Sequence, residues 1–522
     1  MSVSKEEEKT VDISSADLDQ VHSFSIGFTT NLAKAGVDIQ AASKDKALGL
    51  LAAHRVDFDP NSAESKHVLR KIDMRIMPML FLVYVIMLMD KNSLSYAAIF
   101  GIKDDCHLTG SEYSWLGSLV YFGYLGGEIP ATFLMQRVPL AKYFSAMCML
   151  WGLIVAMHAL CRDFAGLATA RFLLGFIEVC TAPCTIYILG SWYTKKEQVT
   201  RVALWYTCTG WANVFGGFFA WTIYQAPTFR WKALFIFYGS MTSLLGVFLY
   251  FYLAPSPTDA RWLSEEEKTI ALERVRSNKT GTEVWRFNWP QLKEAFLDPR
   301  FYLIFLLLVS TGLPNGGLTV FGPTIIAGFG YSTEMTTLLS MAPGAAAVFG
   351  TVVALVVAKY TNRTIAAVYT LILSCIGVIM MFTIPSEHIS ARYGGYVLTL
   401  QFPICILFVI TFMTAGVGGS TKKFAFGAAY QLGYAVGNII GPQTFRANEA
   451  PNYYTAKYTM LAFLIFTIIL VTTIGIIHKF WNTTRDKQDS IDAQNGVVHE
   501  RIENEEFADL TDFRLRSFRY PV

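Results

Sequence analysis

Charge is what this sequence has least of. Only 16% of its 522 residues are Asp, Glu, Lys or Arg, where a soluble domain averages about 25%. With 53% hydrophobic residues and a mean hydropathy of +0.38, a water-soluble globular domain is excluded and a bilayer becomes the solvent. Eight cysteines are present, but they show no pairing intervals and most fall in apolar segments. Neither a disulfide framework nor a zinc site is indicated. The N-terminal stretch MSVSKEEEKTVDISSADLDQ lacks the basic and apolar regions of a cleaved signal peptide, so the first apolar span is expected to serve as its own targeting signal. No stretch fits Gly-x4-Gly-Lys-Ser/Thr, because the glycines of GVGGSTKK (Gly416 to Lys423) are wrongly spaced. That argues against ATP as the energy source. The spans hold no metal-ligand cluster and no nucleophile–base arrangement, so the sequence points to no enzyme, no metal and no cofactor.

What the chain does have is apolar length. Spans long enough for the ~20 residues that cross hydrocarbon lie near 76–101, 112–135, 142–161, 164–190, 200–224 and 231–254. After a polar stretch come six more, near 299–328, 334–358, 364–385, 393–417, 421–444 and 455–481. The expected fold is an all-α polytopic membrane protein of twelve transmembrane helices in two six-helix halves. Its parts are a polar tail over 1–65, with a short helix around 44–54, a first bundle over 66–254 and a linker over 255–297. A second bundle over 298–481 and an acidic tail over 482–522 complete it. Ser264 and Glu267 form a capping box for a solvated linker helix. The acidic tail reads as an unstructured segment, or one used for sorting or a partner.

Lysine and arginine placement orients the chain. Lys66, Arg70, Lys71, Arg75, Arg137, Lys142, Lys195, Lys196 and Arg201 share one face with the linker, Lys359, Arg363, Lys422, Lys423 and Lys479. Both termini are therefore expected in the cytoplasm. The sequons at Asn278, Asn362 and Asn482 fall on that face and are expected to be unmodified. A weak internal repeat joins the halves: Thr194-Lys195-Lys196 precedes Asn213, and Thr421-Lys422-Lys423 precedes Asn438. Parallel repeats of this kind place a substrate site between the halves near mid-membrane.

Ionisable residues inside the spans carry the functional argument, since a charge at the centre of a lipid-spanning helix costs roughly 2.5–3.5 kcal/mol on insertion scales. Arg171 and Glu178, seven residues apart in RFLLGFIEVCTAPCTIYILG, share one helix face. Asp90 and Lys91 in the first span point about 100° apart, so each seeks a different partner. Lys91 with Glu178, and Asp90 with Arg171, are the natural pairs. An anion that competes with Glu178 for Lys91 and Arg171 would favour protonation of the released carboxylate, so proton and anion travel together. Lys91 and Arg171 are thus candidate substrate ligands, and Glu178 and Asp90 candidate proton carriers. Tyr121 and Tyr124 line a cavity or pack helices, and Asn213 and Asn438 line it or tie helices together. Asn315, within Pro314-Asn315-Gly316-Gly317, brings backbone close to the site or marks a kink. Gln431 and Tyr434 complete the candidates.

The stretches MDK in the first span, GGEIPATFLMQR in the second and RFLLGFIEVCTAPCTIYILGSWY in the fourth resemble the major facilitator superfamily. They are more narrowly similar to its anion:cation symporter branch and to the fungal allantoate permease family. NGGLTVFGPTIIAGFGYS, GGSTKKFAFGAAYQLGYAVGNIIGPQTF and the tail FADLTDFRLRSFRYPV resemble that fungal family too. The resemblance implies proton-driven transport of small organic anions such as vitamins, ureides or sugar acids, by a monomer in a fungal plasma or vacuolar membrane. It implies no nucleic acid partner, and it maps the family's central charges onto Asp90, Lys91, Arg171 and Glu178. Two departures stand out. Many relatives outside this fungal group have arginine at Lys91, and the usual Asp-Arg loop motif is reduced to Glu128 and Arg137. Export of a secondary metabolite, or nutrient sensing without transport, are the alternative readings.

Overall fold

The computed structural model describes residues 62–194, 197, 201, 204, 207–226, 228, 230–276, 288–495, 510–515 and 517–521. The helix expected around 44–54, the sequon at Asn278 and the Lys195-Lys196 pair lie outside them. Lipid offers backbone amides no partner, so apolar segments of this length satisfy their N–H and C=O groups within helices. The first half comprises α1 (Ala63–Ile99), α2 (Glu112–Arg137), α3 (Leu140–Met157), α4 (Phe164–Glu178), α5 (Thr181–Trp192), α6 (Cys208–Tyr224) and α7 (Arg230–Tyr252). Two helices, α8 (Glu265–Arg276) and α9 (Trp289–Leu297), lie between the halves. The second half comprises α10 (Pro299–Gly328), α11 (Thr333–Leu339), α12 (Ala342–Tyr360), α13 (Arg363–Thr383), α14 (Ile389–Thr399), α15 (Ile404–Gly416), α16 (Ser420–Ile440) and α17 (Tyr454–Gln494).

Each expected span coincides with one helix or a broken pair. Among the described residues nine are long and apolar enough to cross a membrane; α2, α6 and α16 fall outside that set. The broken pairs α4–α5, α11–α12 and α14–α15 interrupt at or just before Pro183, Pro343 and Pro403. Proline lacks the N–H that would bond four residues back. By contrast α10 runs unbroken through Pro314 and Pro323, so the kink expected near Pro314 does not interrupt the helix. The capping box forms reciprocally: Glu267 N donates to Ser264 Oγ at 3.2 Å and Ser264 N to Glu267 Oε2 at 2.9 Å.

Within the first half α2 packs on α4 and α3 on α7; within the second α10 packs on α16 and α13 on α14. Two of these contacts depend on glycine. A Cβ on Gly175 would lie 1.9 Å from the Val120 carbonyl oxygen, and one on Gly437 would lie 2.4 Å from that of Val309. Small residues at such crossings let helix backbones approach closely. The halves meet along α1 with α10, α2 with α16 and α6 with α12.

The internal repeat is also visible in the packing. In the first half Asn92 Nδ2 donates to Asn213 Oδ1 at 2.9 Å, tying α1 to α6. In the second, Asn315 Nδ2 donates to Asn438 Oδ1 at 2.8 Å, tying α10 to α16. Hydrogen bonds between the halves gather at the end away from the basic loops. There Tyr113 donates to the Val320 carbonyl at 2.8 Å, Ser118 to the Ile439 carbonyl at 2.7 Å and Gln225 to Glu334 at 3.0 Å.

The end of the chain departs from the expectation of an unstructured tail. Asp512 and Tyr520 are buried against the second half. Ion pairs to Arg300 and Lys422, far away in sequence, hold the segment there.

Candidate functional site

Arg171, Gly175 and Glu178 fall on one face of α4 at helical spacing. Because neither Gly123 nor Gly175 carries a side chain, α2 lies close enough to α4 for Tyr124 to donate its hydroxyl proton to Glu178 Oε1. Lys91 Nζ, from α1, sits 5.1 Å from the ring centre of Tyr121 and 5.1 Å from that of Tyr124, a range in which a ring face attracts a cation.

Lys91, Tyr121, Arg171 and Glu178 line a small cavity with Gly316, Thr319 and Val320 of α10. The cavity therefore lies between the halves. Its volume is about 20 Å³, room for about one water molecule. Arg171 is 2% exposed, and its Nε and Nη2 have no acceptor; Glu178 Oε2 likewise has no donor. A buried guanidinium with two idle N–H directions presents the planar fork that matches a carboxylate.

The direct pairs expected from sequence are not formed. Glu178 takes Tyr124 instead of Lys91, and the ring of Tyr124 is where Lys91 rests. Asp90, 0% exposed, accepts from Thr242 of α7 at 2.7 Å, while its Oδ1 has no donor. Asp90 thus stands behind Lys91, outside the cavity lining. The tyrosines intervene because the α2–α4 glycine crossing holds α2 tightly beside α4.

The remaining candidates divide into two groups. Asn315 Nδ2 donates to the Tyr434 hydroxyl at 2.8 Å as well as to Asn438, and Asn438 Nδ2 donates to the Tyr434 carbonyl at 2.7 Å. This cluster meets the first half through Tyr434 and Tyr121, whose rings lie 6.3 Å apart edge to face. Asn213 is engaged with Asn92 and is not among the cavity-lining residues. Gln431 is exposed and its side chain has no hydrogen bond among the described residues. Replacing Asn315 by alanine removes two donors from the cluster. Interhelical hydrogen bonds in membranes contribute about 0.6–1.7 kcal/mol, so N315A should lower the melting temperature of purified protein by a few degrees. An unchanged melting curve would contradict this tie.

Sequence reasoning missed Thr242, Asn92 and the aromatic face of Arg171. The Phe235 ring centre lies 5.7 Å from the Arg171 guanidinium, and the buried His158 stacks on Phe235 at 4.9 Å. His158 directly follows α3 in an apolar run, and nothing local to it marks Arg171 as a neighbour.

Two bundles of helices with paired elements, a charged cavity between them and an Asn–Asn tie in each half define a two-fold transporter architecture. The Major Facilitator Superfamily model matches residues 80–442, and the chain belongs to that superfamily. It stands there with fungal allantoate permease relatives. It is 32% identical to the allantoate permease of Saccharomyces cerevisiae over 90% of this chain and 89% of that one. Identity to the thiamine pathway transporter THI73 of the same yeast is 33%, over 90% and 89%. An MFS-type transporter of Penicillium expansum, cnsL, is 30% identical over 94% and 96%. Among solved structures, a bacterial homologue of the human lysosomal transporter Spinster, inward-facing and unoccupied, superposes with a TM-score of 0.58 at 16% identity. That likeness covers 79% of this chain and 97% of the other. The xylose transporter XylE of E. coli superposes with a TM-score of 0.56 at 12% identity, over 76% and 96%. The chain is a secondary transporter of small molecules.

Proposed function

We propose that the chain imports a small organic anion together with protons, with Arg171 and Lys91 binding the anion and Glu178 carrying the proton. The observation that carries this reading is Arg171, a buried guanidinium whose Nε and Nη2 have no acceptor, lining the same cavity as Lys91 and Glu178. Charge bookkeeping supports the coupling. Lys91, Arg171, Asp90 and Glu178 sum to zero. A monovalent anion entering this low-dielectric site leaves a net charge of −1, and one proton on Glu178 restores neutrality. Asp90, held by Thr242 away from the cavity, is the reserve carboxylate that keeps Lys91 and Arg171 balanced while Glu178 titrates.

The same reading sets the orientation. With both termini in the cytoplasm, the hydrogen bonds between the halves close the outer end. A cavity of about 20 Å³ cannot hold an organic anion, so loading requires Tyr121 and Tyr434 to part as the halves rock. On this reading the chain works as a monomer in the plasma membrane, and its likeness to a yeast allantoate permease supports a carboxylate of the ureide class as the cargo.

The reading is tested in yeast expressing the protein, with labelled allantoate, nicotinate, pantothenate and small sugar acids at pH 5 and pH 7, with and without a protonophore. Uptake that is stronger at pH 5 and lost with the protonophore is expected. The Glu178→Gln variant should keep exchange of the anion across the membrane but lose its accumulation and its pH dependence. A variant that still accumulates substrate more strongly at pH 5 would remove Glu178 from the proton path.

A further inference from the structure

The segment that follows each bundle folds back on the basic-loop face of that bundle. In the first half the recipient is Asp73-Met74-Arg75 at the start of α1. Arg201 reaches Asp73 at 2.6 Å, and Arg75 lies 5.2 Å from the ring centre of Trp262, a residue after the bundle. Lys71 and Glu267 pair at 2.7 Å and fasten α8 to α1. In the second half the matching sequence is Asp298-Pro299-Arg300 at the start of α10, and the covering segment is the end of the chain. Asp512 pairs with Arg300 at 2.6 Å and with Lys422 at 2.9 Å, and accepts from Tyr520 at 3.0 Å and from Gly418 N at 3.1 Å. Tyr520 and Phe513 ring centres lie 4.8 and 5.6 Å from the Arg300 guanidinium. Thr511 donates to Glu294 of α9 at 2.9 Å, and Lys422 also pairs with Glu294 at 3.0 Å.

We infer that residues 510–521 are the second half's counterpart of the linker: a strap that closes this face and fastens α9 to the bundle. On this assignment α8 moves with the first half and α9 with the second. Without the strap, Arg300 and Lys422, both buried, lose the carboxylate they share at 2.6 and 2.9 Å, and removing one partner of a buried ion pair is strongly destabilising. Arg485 adds hydrogen bonds to the Asp512 carbonyl at 2.7 Å and the Phe518 carbonyl at 2.5 Å. Asn482 holds Tyr520 by its backbone N–H and its carbonyl, each at 2.9 Å.

The pH behaviour follows from the groups around Asp512: Arg300 and Asp298 of α10, Lys422 of α16, Glu294 of α9, His478 and Arg485 of α17, and Tyr520. Burial pushes the Asp512 carboxyl up, but Arg300 and then Lys422 outweigh it and hold it below the usual range. A carboxylate lowered on docking gives its full contribution above the free value of about 3.9 and loses it as pH falls through the lower, docked value. The contribution of Asp512 to seating the strap is therefore complete at neutral pH and is lost only as pH falls below the free carboxylate range.

The test uses the full chain with a site-specific protease sequence inserted between residues 496 and 509, purified in detergent and then cut. The strap inference predicts that the cut fragment stays bound through gel filtration at pH 7 and in about 0.5 M salt, because buried pairs are little screened. In the cut Asp512→Asn protein the fragment should come off, and before cutting that variant should melt roughly 5–10 °C lower. Should D512N fail to fold, the cut natural sequence still decides. Loss of its fragment at pH 7, or a D512N fragment that stays bound with unchanged melting, would overturn the inference.

Discussion

Uptake of the anion should fall on the order of a hundredfold when Arg171 is replaced by methionine. Each charge-assisted hydrogen bond contributes about 1.5–3 kcal/mol, and about 1.4 kcal/mol is a factor of ten, so two bonds lost at one carboxylate suffice. Methionine keeps the apolar stem that packs beside Phe235 while removing the fork, so folding is spared. Arg171→Lys separates charge from shape. A lysine ammonium restores the charge count of Lys91, Arg171, Asp90 and Glu178, yet cannot present Nε and Nη2 together. R171K should recover some binding and remain at least tenfold below the natural protein. Measured as initial uptake rates normalised to protein at the membrane, equal rates for R171K and the natural chain would show that the site uses only charge. Unimpaired R171M would show that the anion binds elsewhere.

Gly175→Val is expected to eliminate the protein from the membrane or leave it without flux. A Cβ there would lie 1.9 Å from the Val120 carbonyl oxygen, a distance no side-chain rotation can relieve because the obstacle is backbone. The α2–α4 crossing would have to open. Opening it withdraws Tyr124 from Glu178 and the Tyr121 and Tyr124 rings from Lys91. Overpacked cores lose about 1–3 kcal/mol or more, and here the displaced groups include a buried carboxylate and a buried cation. Surface abundance, thermal stability and uptake should fall together. Gly190→Val is the control: a Cβ at Gly190 meets nothing within 4 Å, so that variant should behave normally. If G175V kept full abundance and uptake, α2 and α4 would not be apposed as described.

Much of this arrangement is legible in the sequence, for reasons that differ from residue to residue. Helical periodicity alone puts Arg171 and Glu178 on one face, and the cost of charge in lipid singles them out together with Asp90 and Lys91. The parallel halves are legible from Asn213 and Asn438 because each follows a Thr-Lys-Lys sequence at a similar interval. The partners of these residues are not legible. Asn92 and Asn315 come from other spans. Tyr124 takes the place expected for Lys91 only because Gly123 and Gly175 let α2 approach α4, a long-range contact with no local signature. Thr242 draws Asp90 away from the cavity for the same kind of reason. The strap is the largest surprise. Residues 510–521 read as a polar end because their charges have no partner nearby in sequence; their partners are Arg300 and Lys422.

The most direct test of proton-coupled anion transport is flux in liposomes that contain the purified protein and a trapped pH-sensitive dye. The imposed gradient is acid outside, and the membrane potential is clamped at zero with potassium and valinomycin. Adding a monovalent substrate should acidify the lumen, with one proton entering per anion and no change in rate when the clamped potential is varied. Anion entry that leaves the luminal pH unchanged, or that speeds and slows with the potential, would contradict the account centred on Arg171, Lys91 and Glu178.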